Sequence, residues 1–270
     1  SSDAIDAALV RFSDSGCELV STLAATLDAP ILDRIKRAVD GTADRISDIS
    51  ELDVLLAQAF ADTALLLKDQ AGVDQITAIG SHGQTVRHQP RGCLPYTVQL
   101  GNGARIAALT GITTVSDFRT ADLALGGQGA PLVPAFHRAI FSDSDENRVI
   151  VNIGGIANVT VLHRKDRPSG FDTGPGNTLM DHWFRQHQPG IYDENGTWAR
   201  SGTCLPKLLR TLLECDYFSR HPPKSTGLEE FNLDWLNTYL IGGERPEDVQ
   251  ATLVELTAES ISQSIKTNAP

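Results

Sequence analysis

Two pairs of strand-like segments, each joined by a short turn, most constrain what this chain can fold into. Residues 148–153 and 158–162 are apolar and β-branched, and Gly154-Gly155-Ile156-Ala157 joins them. This pattern predicts a β-hairpin, and residues 5–12 and 17–25 predict a second one. A purely parallel α/β sheet has no such hairpins. The sequence therefore predicts an α/β fold in two hairpin-led halves with a cleft between them.

Helical spacing of apolar residues fills most of the remaining sequence. Asp48, with Glu51 three residues later, is predicted to cap the longest of these helices. Residues 170–177 are rich in glycine and are predicted to form a loop. The predicted helices cover residues 31–39, 49–69, 103–110, 132–141, 178–187, 205–213 and 247–266.

Composition excludes several classes of protein. The 270 residues carry a formal net charge of −11 and no run of basic residues, which argues against a nucleic-acid partner. No apolar stretch approaches the ~18 residues of a membrane span. The four cysteines are widely spaced, which is typical of reduced thiols in a reducing compartment. The sequence begins at Ser1 without a Met, so the question of a leader peptide before it stays open.

The glycine-rich turn at 154–157 has two interpretations. Successive amides in such a turn can cradle phosphate oxygens, whereas glycine and asparagine are also ordinary hairpin residues. Asp172 lies among turn-forming residues before a helix. It is a candidate general base held in fixed geometry, or a residue that caps its own turn.

Three other segments are weaker candidates for a ligand site. Residues 117–119 with 126–129, and residues 80–85, place polar groups in loops or at a strand end. Residues 224–227 are a candidate ligand contact, although Thr226 with Glu229 also fits a capping box. His82 and His88 lack the partners that a transition-metal site needs, so no metal site is predicted.

Taken together, these segments resemble the anhydro-N-acetylmuramic acid kinase family. The matching stretches follow one another in the family's order and cover nearly the whole chain. They are SSDAIDAALV (1–10), AIGSHGQTVRH (78–88), YTVQLGN (96–102), SDFRTADLALGGQGAPLVPAFH (116–137), VNIGGIANVT (151–160), GFDTGPGNTLMDHW (170–183), PPKSTGLEEFN (222–232) and DVQATLVELTAESI (248–261).

The resemblance implies a fold and a reaction. The fold is the two-lobed sugar kinase/Hsc70/actin-like architecture, related to ribonuclease H, with lobes at 1–141 and 142–270 and ATP in the cleft. The enzyme would open 1,6-anhydro-N-acetylmuramic acid with water and phosphorylate O6. The products would be N-acetylmuramic acid 6-phosphate and ADP, in cytoplasmic recycling of the cell wall. Mg²⁺ would accompany ATP, and a homodimer is possible.

Roles for individual residues follow from the same resemblance. Asp172 matches the catalytic aspartate, which would deprotonate the attacking water. The first phosphate-binding turn would include Ser1, Ser2, Asp3 and Asp6, and the second Gly154, Gly155 and Asn158. Substrate contacts are expected from Gln84, Arg119, Gln128, Gly129, Gly174 and Asn177.

The sequence also departs from the family's pattern. The family's first strand and a Gly-Thr pair before Ser1 are missing, and so is a glycine-rich adenosine-binding stretch after residue 270. The second lobe is therefore expected to be incomplete. Two rival functions stay open: a non-catalytic amino-sugar-binding relative, and a glycoside hydrolase that uses Asp172 with Asp117 as its carboxylate pair.

Overall fold

The computed structural model describes residues 4–14, 16–43, 45–164 and 166–269. The protein is a mixed α/β chain that divides into two compact units, Ser1–Gly129 and Ala130–Pro270. The lobes at 1–141 and 142–270 stay a prediction. Within the described ranges, no helix is long and apolar enough to cross a bilayer.

The first unit contains three pairs of strands and four helices among its described residues. Its elements are β1 (Ala4–Ser13), β2 (Gly16–Thr26), α1 (Ala29–Asp40), α2 (Ile46–Gln70), β3 (Ile79–Gly80), β4 (Gln84–Gln89), β5 (Tyr96–Leu100), α3 (Gly103–Thr110), β6 (Thr114–Val115) and α4 (Thr120–Ala124). The antiparallel pairing of β1 with β2 confirms the hairpin predicted from residues 5–12 and 17–25. β4 and β5 form a second antiparallel pair, and β3 and β6 pair in parallel.

Helix α2 supplies the core of the first unit. Leu52 and Leu56 are buried against Ile35 of α1 and Leu100 of β5. The predicted cap at Asp48 is wrong, because the helix begins at Ile46 and Asp48 lies inside its first turn. A carboxylate in the first turn still interacts favourably with the helix dipole.

The second unit has one three-stranded sheet and six helices in its described residues. Its elements are β7 (Arg148–Ile153), β8 (Ile156–Leu162), β9 (Ser169–Pro175), α5 (Pro134–Phe141), α6 (Thr178–His187), α7 (Pro206–Leu213), α8 (Asp216–Ser219), α9 (Leu233–Asn237) and α10 (Pro246–Asn268), with 3₁₀ turns at Glu194–Gly196 and Ala199–Ser201. The strand order is β7-β8-β9, and both pairings are antiparallel. The β7–β8 pair confirms the hairpin predicted around the Gly154–Gly155 turn.

The predicted loop at 170–177 is wrong, because residues 169–175 form strand β9. Their composition, with two glycines, an aspartate and a proline, disfavours a strand. Pairing with β8 overrides that local preference, since Val159 lies opposite Phe171 and both side chains are buried. Asp172 therefore lies on a paired strand rather than on a free loop.

Helix α10 closes the core beneath the sheet of the second unit. It contacts β8, β9, α6 and α7. Leu253 and Leu256 are buried in a cluster with Leu179, Trp183 and Leu212. Trp183 is only 6% exposed, so its ring is part of this core. The strand that carries Asp172 thus rests on a packed helical layer.

We expect Leu253→Ala to lower the free energy of unfolding by about 2–5 kcal/mol, because a buried side chain would leave a cavity. Leu253 is only 1% exposed. Val254→Ala on the same helix is the control, since Val254 is 41% exposed, and it should cost at most about 0.5 kcal/mol. Chemical denaturation measures both, and equal losses would contradict the packing described for α10.

Candidate active site

Asp172 is a buried acid on the central part of β9. Only 6% of the residue is exposed. The register with β8 shifts at this point, because Ala157 lies opposite Gly174 while Asn158 lies opposite Asp172. Thr173 is therefore the extra residue of a β-bulge, and its Oγ1 donates to the Ala157 carbonyl at 3.2 Å. Bulges change the direction of side chains and recur beside active sites.

The segment Lys224-Ser225-Thr226 contacts Asp172 on the side of strand β9 that is not paired with β8. The Asp172 amide donates to the Lys224 carbonyl at 3.1 Å. The Thr226 amide donates to the Asp172 carboxylate oxygen Oδ2 at 3.0 Å. One segment thus fixes both the backbone and the side chain of Asp172. A backbone donor aimed at a carboxylate positions it with no side-chain freedom to lose.

The predicted capping box of Thr226 with Glu229 is wrong. The Thr226 hydroxyl donates to Glu230 Oε2 at 2.8 Å, and residues 228–230 form a turn rather than a helix. The next helix, α9, begins at Leu233. The other interpretation, that residues 224–227 contact a ligand, stays a prediction. This segment lies against the candidate base.

Tyr217 and Lys224 complete a buried network around Asp172. The Tyr217 hydroxyl donates to the Asp172 carbonyl at 2.7 Å. The Lys224 ammonium donates to the Tyr217 carbonyl at 3.2 Å and lies 4.7 Å from the centre of its ring. Lys224 is 3% exposed, and a buried cation persists only with such partners. No sequence pattern pointed to Tyr217.

The Gly154–Gly155 turn is joined to the start of helix α6 through its carbonyl oxygens. The Gly155 carbonyl accepts from the Gly176 and Thr178 amides at 2.9 and 3.2 Å. The Gly154 carbonyl accepts from the Asn177 amide at 2.8 Å. A Cβ at Gly176 would lie 2.1 Å from the Gly154 oxygen, so this close approach requires glycine. The turn is thereby fixed to the end of β9.

In the first unit, Arg119 is held in a separate polar group. Its Nε donates to His82 Nε2 at 2.8 Å, and its Nη1 donates to the Gly129 carbonyl at 2.7 Å. The Gly129 amide in turn donates to Asp122 Oδ2 at 2.7 Å. Partial desolvation of the ring and the Arg119 charge lower the pKa of His82, which favours the neutral ring that accepts from Arg119. Sequence reasoning missed the role of His82.

The other predicted site residues of the first unit are less tightly connected. Gln84 begins strand β4, and its Nε2 donates to the Thr85 carbonyl at 3.2 Å. Gln128 is half-buried beside Gly129, and Asp6 is exposed on β1. Ser1, Ser2 and Asp3 lie outside the described residues.

The remaining predicted residues of the second unit differ in their surroundings. Gly174 adopts φ 148° beside Phe218, where an added Cβ would lie 2.7 Å from the ring, so its immediate role is packing. Asn177 is exposed at the start of α6. Asn158 lies next to Asp172 across the β8–β9 register. The structure therefore brings Asn158 and the end of β9 together with the glycine turn.

The sequence of the chain matches one protein family along its whole length. The family described as anhydro-N-acetylmuramic acid kinase matches residues 1–270. The chain belongs to the anhydro-N-acetylmuramic acid kinase family. The family resemblance drawn from the motifs is thereby confirmed.

Individual members of this family are similar over most of the chain. An anhydro-N-acetylmuramic acid kinase of Coxiella burnetii is 50% identical over 268 residues, which is 97% of this chain and 71% of the relative. The kinase of Photobacterium profundum is 47% identical over 99% of this chain and 72% of its own length. The kinase of Vibrio vulnificus is 47% identical over 98% of this chain and 73% of its own length.

Tyr217→Phe tests the network around Asp172. Loss of the hydroxyl would leave the buried Asp172 carbonyl without this donor, so we expect a loss of about 1–3 kcal/mol in the free energy of unfolding. Tyr192→Phe is the matched control, because Tyr192 is 56% exposed. Denaturant unfolding measures both variants. A loss for Tyr217→Phe no larger than that of the control would show that the hydroxyl does not support Asp172.

Proposed function

We propose that the protein is an ATP-dependent kinase that opens 1,6-anhydro-N-acetylmuramic acid with water and phosphorylates O6. The products are N-acetylmuramic acid 6-phosphate and ADP, and the role is recycling of cell-wall sugar. Membership of the kinase family supports the activity. The structural observation that carries the mechanism is the buried Asp172 carboxylate, held by the Thr226 amide at 3.0 Å.

Asp172 acts as the general base in this proposal. A base needs fixed geometry before it needs a tuned pKa, and β8, residues 224–226 and Tyr217 supply that geometry. The Thr226 amide fixes the orientation of the carboxylate through Oδ2, and the carboxylate is assigned to the water. Attack of that water on the anomeric carbon releases O6, which then accepts the γ-phosphoryl group.

The phosphate groups of ATP are assigned to the Gly154–Gly155 turn. Its carbonyl oxygens are engaged by the start of α6. The Gly155 amide donates no backbone hydrogen bond within the described ranges, which leaves it available for a phosphate oxygen. Ser1 to Asp6 would form the first phosphate turn, with ATP between two lobes of the sugar kinase/actin-like type, as family resemblance suggests.

Arg119 is the main candidate for sugar recognition. Hydrogen bonds to His82 and to the Gly129 carbonyl fix the orientation of the guanidinium plane. A planar guanidinium group held in one orientation suits recognition of a carboxylate or of neighbouring hydroxyl groups. Gln84, Gln128, Gly129, Gly174 and Asn177 are assigned to the sugar with it, on the family resemblance.

Mg²⁺ is proposed to arrive with ATP, held mainly by phosphate oxygens and water. Among the described residues, no group of three or more His, Cys, Asp and Glu side chains is arranged to hold a metal ion. A cytoplasmic location and a homodimer are proposed on the family resemblance alone.

Two other functions would leave different products. A non-catalytic sugar-binding relative would release no product, and a glycoside hydrolase would act without ATP. The hydrolase proposal needs Asp117 as a partner. Asp117 Oδ1 instead accepts from the Thr120 amide at 3.3 Å at the start of α4. The kinase therefore remains the function that we favour.

We expect Asp172→Asn to lower kcat by about 10²–10⁴-fold, because the amide cannot take the proton of the water. The assay follows formation of a product heavier than the anhydro sugar by water plus phosphate. Asp234→Asn, at an exposed position of α9, is the control. Near-normal kcat in a folded Asp172→Asn protein would refute the assigned role.

We expect Gly155→Ala to weaken ATP binding by about tenfold, because a methyl group would obstruct the approach of a phosphate. The fold tolerates that methyl group, since the nearest heavy atom to an added Cβ is Thr178 Cβ at 3.8 Å. Calorimetric titration with ATP measures the change, and an unaltered melting temperature verifies the fold. Unchanged affinity would remove the turn from the nucleotide site.

A further inference from the structure

Three polar side chains form a row across the sheet of the second unit. Asn158 of β8 lies directly opposite Asn152 of β7 on one side and Asp172 of β9 on the other. Directly opposed residues of antiparallel strands place their side chains on the same face, with Cβ atoms about 4.5–5.5 Å apart. The row therefore places an amide group beside the carboxylate of the proposed base.

The amide oxygen of Asn158 is a buried acceptor. Its Oδ1 has almost no surface exposed to solvent and accepts no hydrogen bond from the residues that the structure describes. Buried polar atoms in folded proteins are nearly always paired, with protein or with ordered water. The donor that this oxygen requires must therefore come from a bound molecule that carries an O–H or N–H group.

The Asp172 carboxylate beside Asn158 limits which molecules can bind there. Asp172 offers a second acceptor on the same face, one strand away. Two acceptors side by side fit a molecule with two donor hydrogens, and water is the smallest such molecule. Water that bridges polar groups in this way is a common part of buried sites.

We propose that Asn158 Oδ1 and the Asp172 carboxylate together hold the water that opens the anhydro ring. This inference rests on the proposed kinase function. Asn158 is then a catalytic residue that touches the nucleophile, rather than a contact to the phosphate groups of ATP. With one hydrogen bonded to each acceptor, a lone pair of the water is left to point at the anomeric carbon.

The step balances without any further reactant. Asp172 takes one proton from the water, and the water oxygen forms a bond to the anomeric carbon. The bond from that carbon to O6 breaks, and its electron pair stays on O6. O6 then bonds to the γ-phosphorus as the bond to ADP breaks. The proton on Asp172 passes to solvent.

The family resemblance places Asn158 with the phosphate turn, and the two assignments differ in what they predict. A phosphate contact stabilises bound ATP, so its loss raises the KM for ATP. A residue that orients the water acts on the ring-opening step, so its loss lowers kcat and leaves the KM for ATP nearly unchanged. Steady-state kinetics of Asn158 variants therefore separate them.

The test compares Asn158→Ala and Asn158→Asp with Asn152→Ala and Asn152→Asp in the product assay with ATP and the anhydro sugar. Asn158→Ala should lower kcat by about 10–100-fold, with the KM for ATP within about twofold of the original value. Asn158→Asp keeps an acceptor and adds a charge beside Asp172. Each of two adjacent carboxylates raises the pKa of the other. The acid limb of the pH–kcat profile, where kcat falls as the pH is lowered, should therefore move to higher pH.

Asn152 is exposed and lies two strands from Asp172, about 10 Å across the sheet. Asn152→Asp should therefore move the acid limb less than Asn158→Asp does. A purely structural role of Asn158 would lower the melting temperature of Asn158→Ala without lowering the kcat of the folded protein, so melting temperatures are measured for every variant. If Asn158→Ala misfolds, the KM for ATP of Asn158→Asp decides, because a carboxylate in contact with a phosphate group would raise it strongly and a carboxylate in contact with the water would not.

Two results would overturn the inference while the original protein is active. One is an Asn158→Ala protein with unchanged kcat, and the other is a raised KM for ATP with kcat retained. An unmoved acid limb in a folded Asn158→Asp protein would also count against it. Failure of the original protein to form the phosphorylated product would instead refute the proposed function itself.

Discussion

The site depends above all on one hydrogen bond, from the Thr226 amide to the Asp172 carboxylate at 3.0 Å. Strand β9 alone would place this side chain on a face of the sheet without fixing its rotation. The amide of a neighbouring segment removes that freedom, and the Asp172 amide, bonded to the Lys224 carbonyl, fixes the segment in return. A buried carboxylate with a fixed orientation is what a general base requires before chemistry starts.

The same strand connects Asp172 to the glycine turn. β9 continues into Gly176 and helix α6, whose first amides bond to the carbonyl oxygens of Gly154 and Gly155. Thr257 of α10 donates to the Pro175 and Gly176 carbonyls at 3.1 and 2.9 Å, which fixes this junction from below. The turn and Asp172 therefore belong to one packed framework, and their spacing is set by the fold rather than by flexible loops.

Much of this arrangement could be predicted from the sequence, because it rests on local patterns. Apolar, β-branched residues on both sides of the Gly154–Gly155 turn indicated the hairpin, and helical spacing indicated α6 and α10. Asp172 was identified by its glycine-rich surroundings and by the family resemblance. Strand β9 was missed because its glycines and proline favour a turn, and only pairing with β8 makes it a strand.

The support around Asp172 was harder to predict for a related reason. Lys224 and Thr226 are 52 and 54 positions from Asp172 along the chain, and their contacts to it are made through backbone groups, which leave no trace in residue type. Tyr217 and His82 likewise act through single long-range hydrogen bonds. Such contacts follow from tertiary packing, so spacing within one segment cannot reveal them.

A crystal structure with 1,6-anhydro-N-acetylmuramic acid and a non-hydrolysable ATP analogue would test the role of Asp172 most directly. The account predicts a water within about 2.6–3.2 Å of an Asp172 carboxylate oxygen and about 3–3.5 Å from the anomeric carbon. The γ-phosphate should then lie near O6. A sugar bound with its anomeric carbon remote from Asp172, or an Asp172 carboxylate bonded only to protein groups, would contradict it.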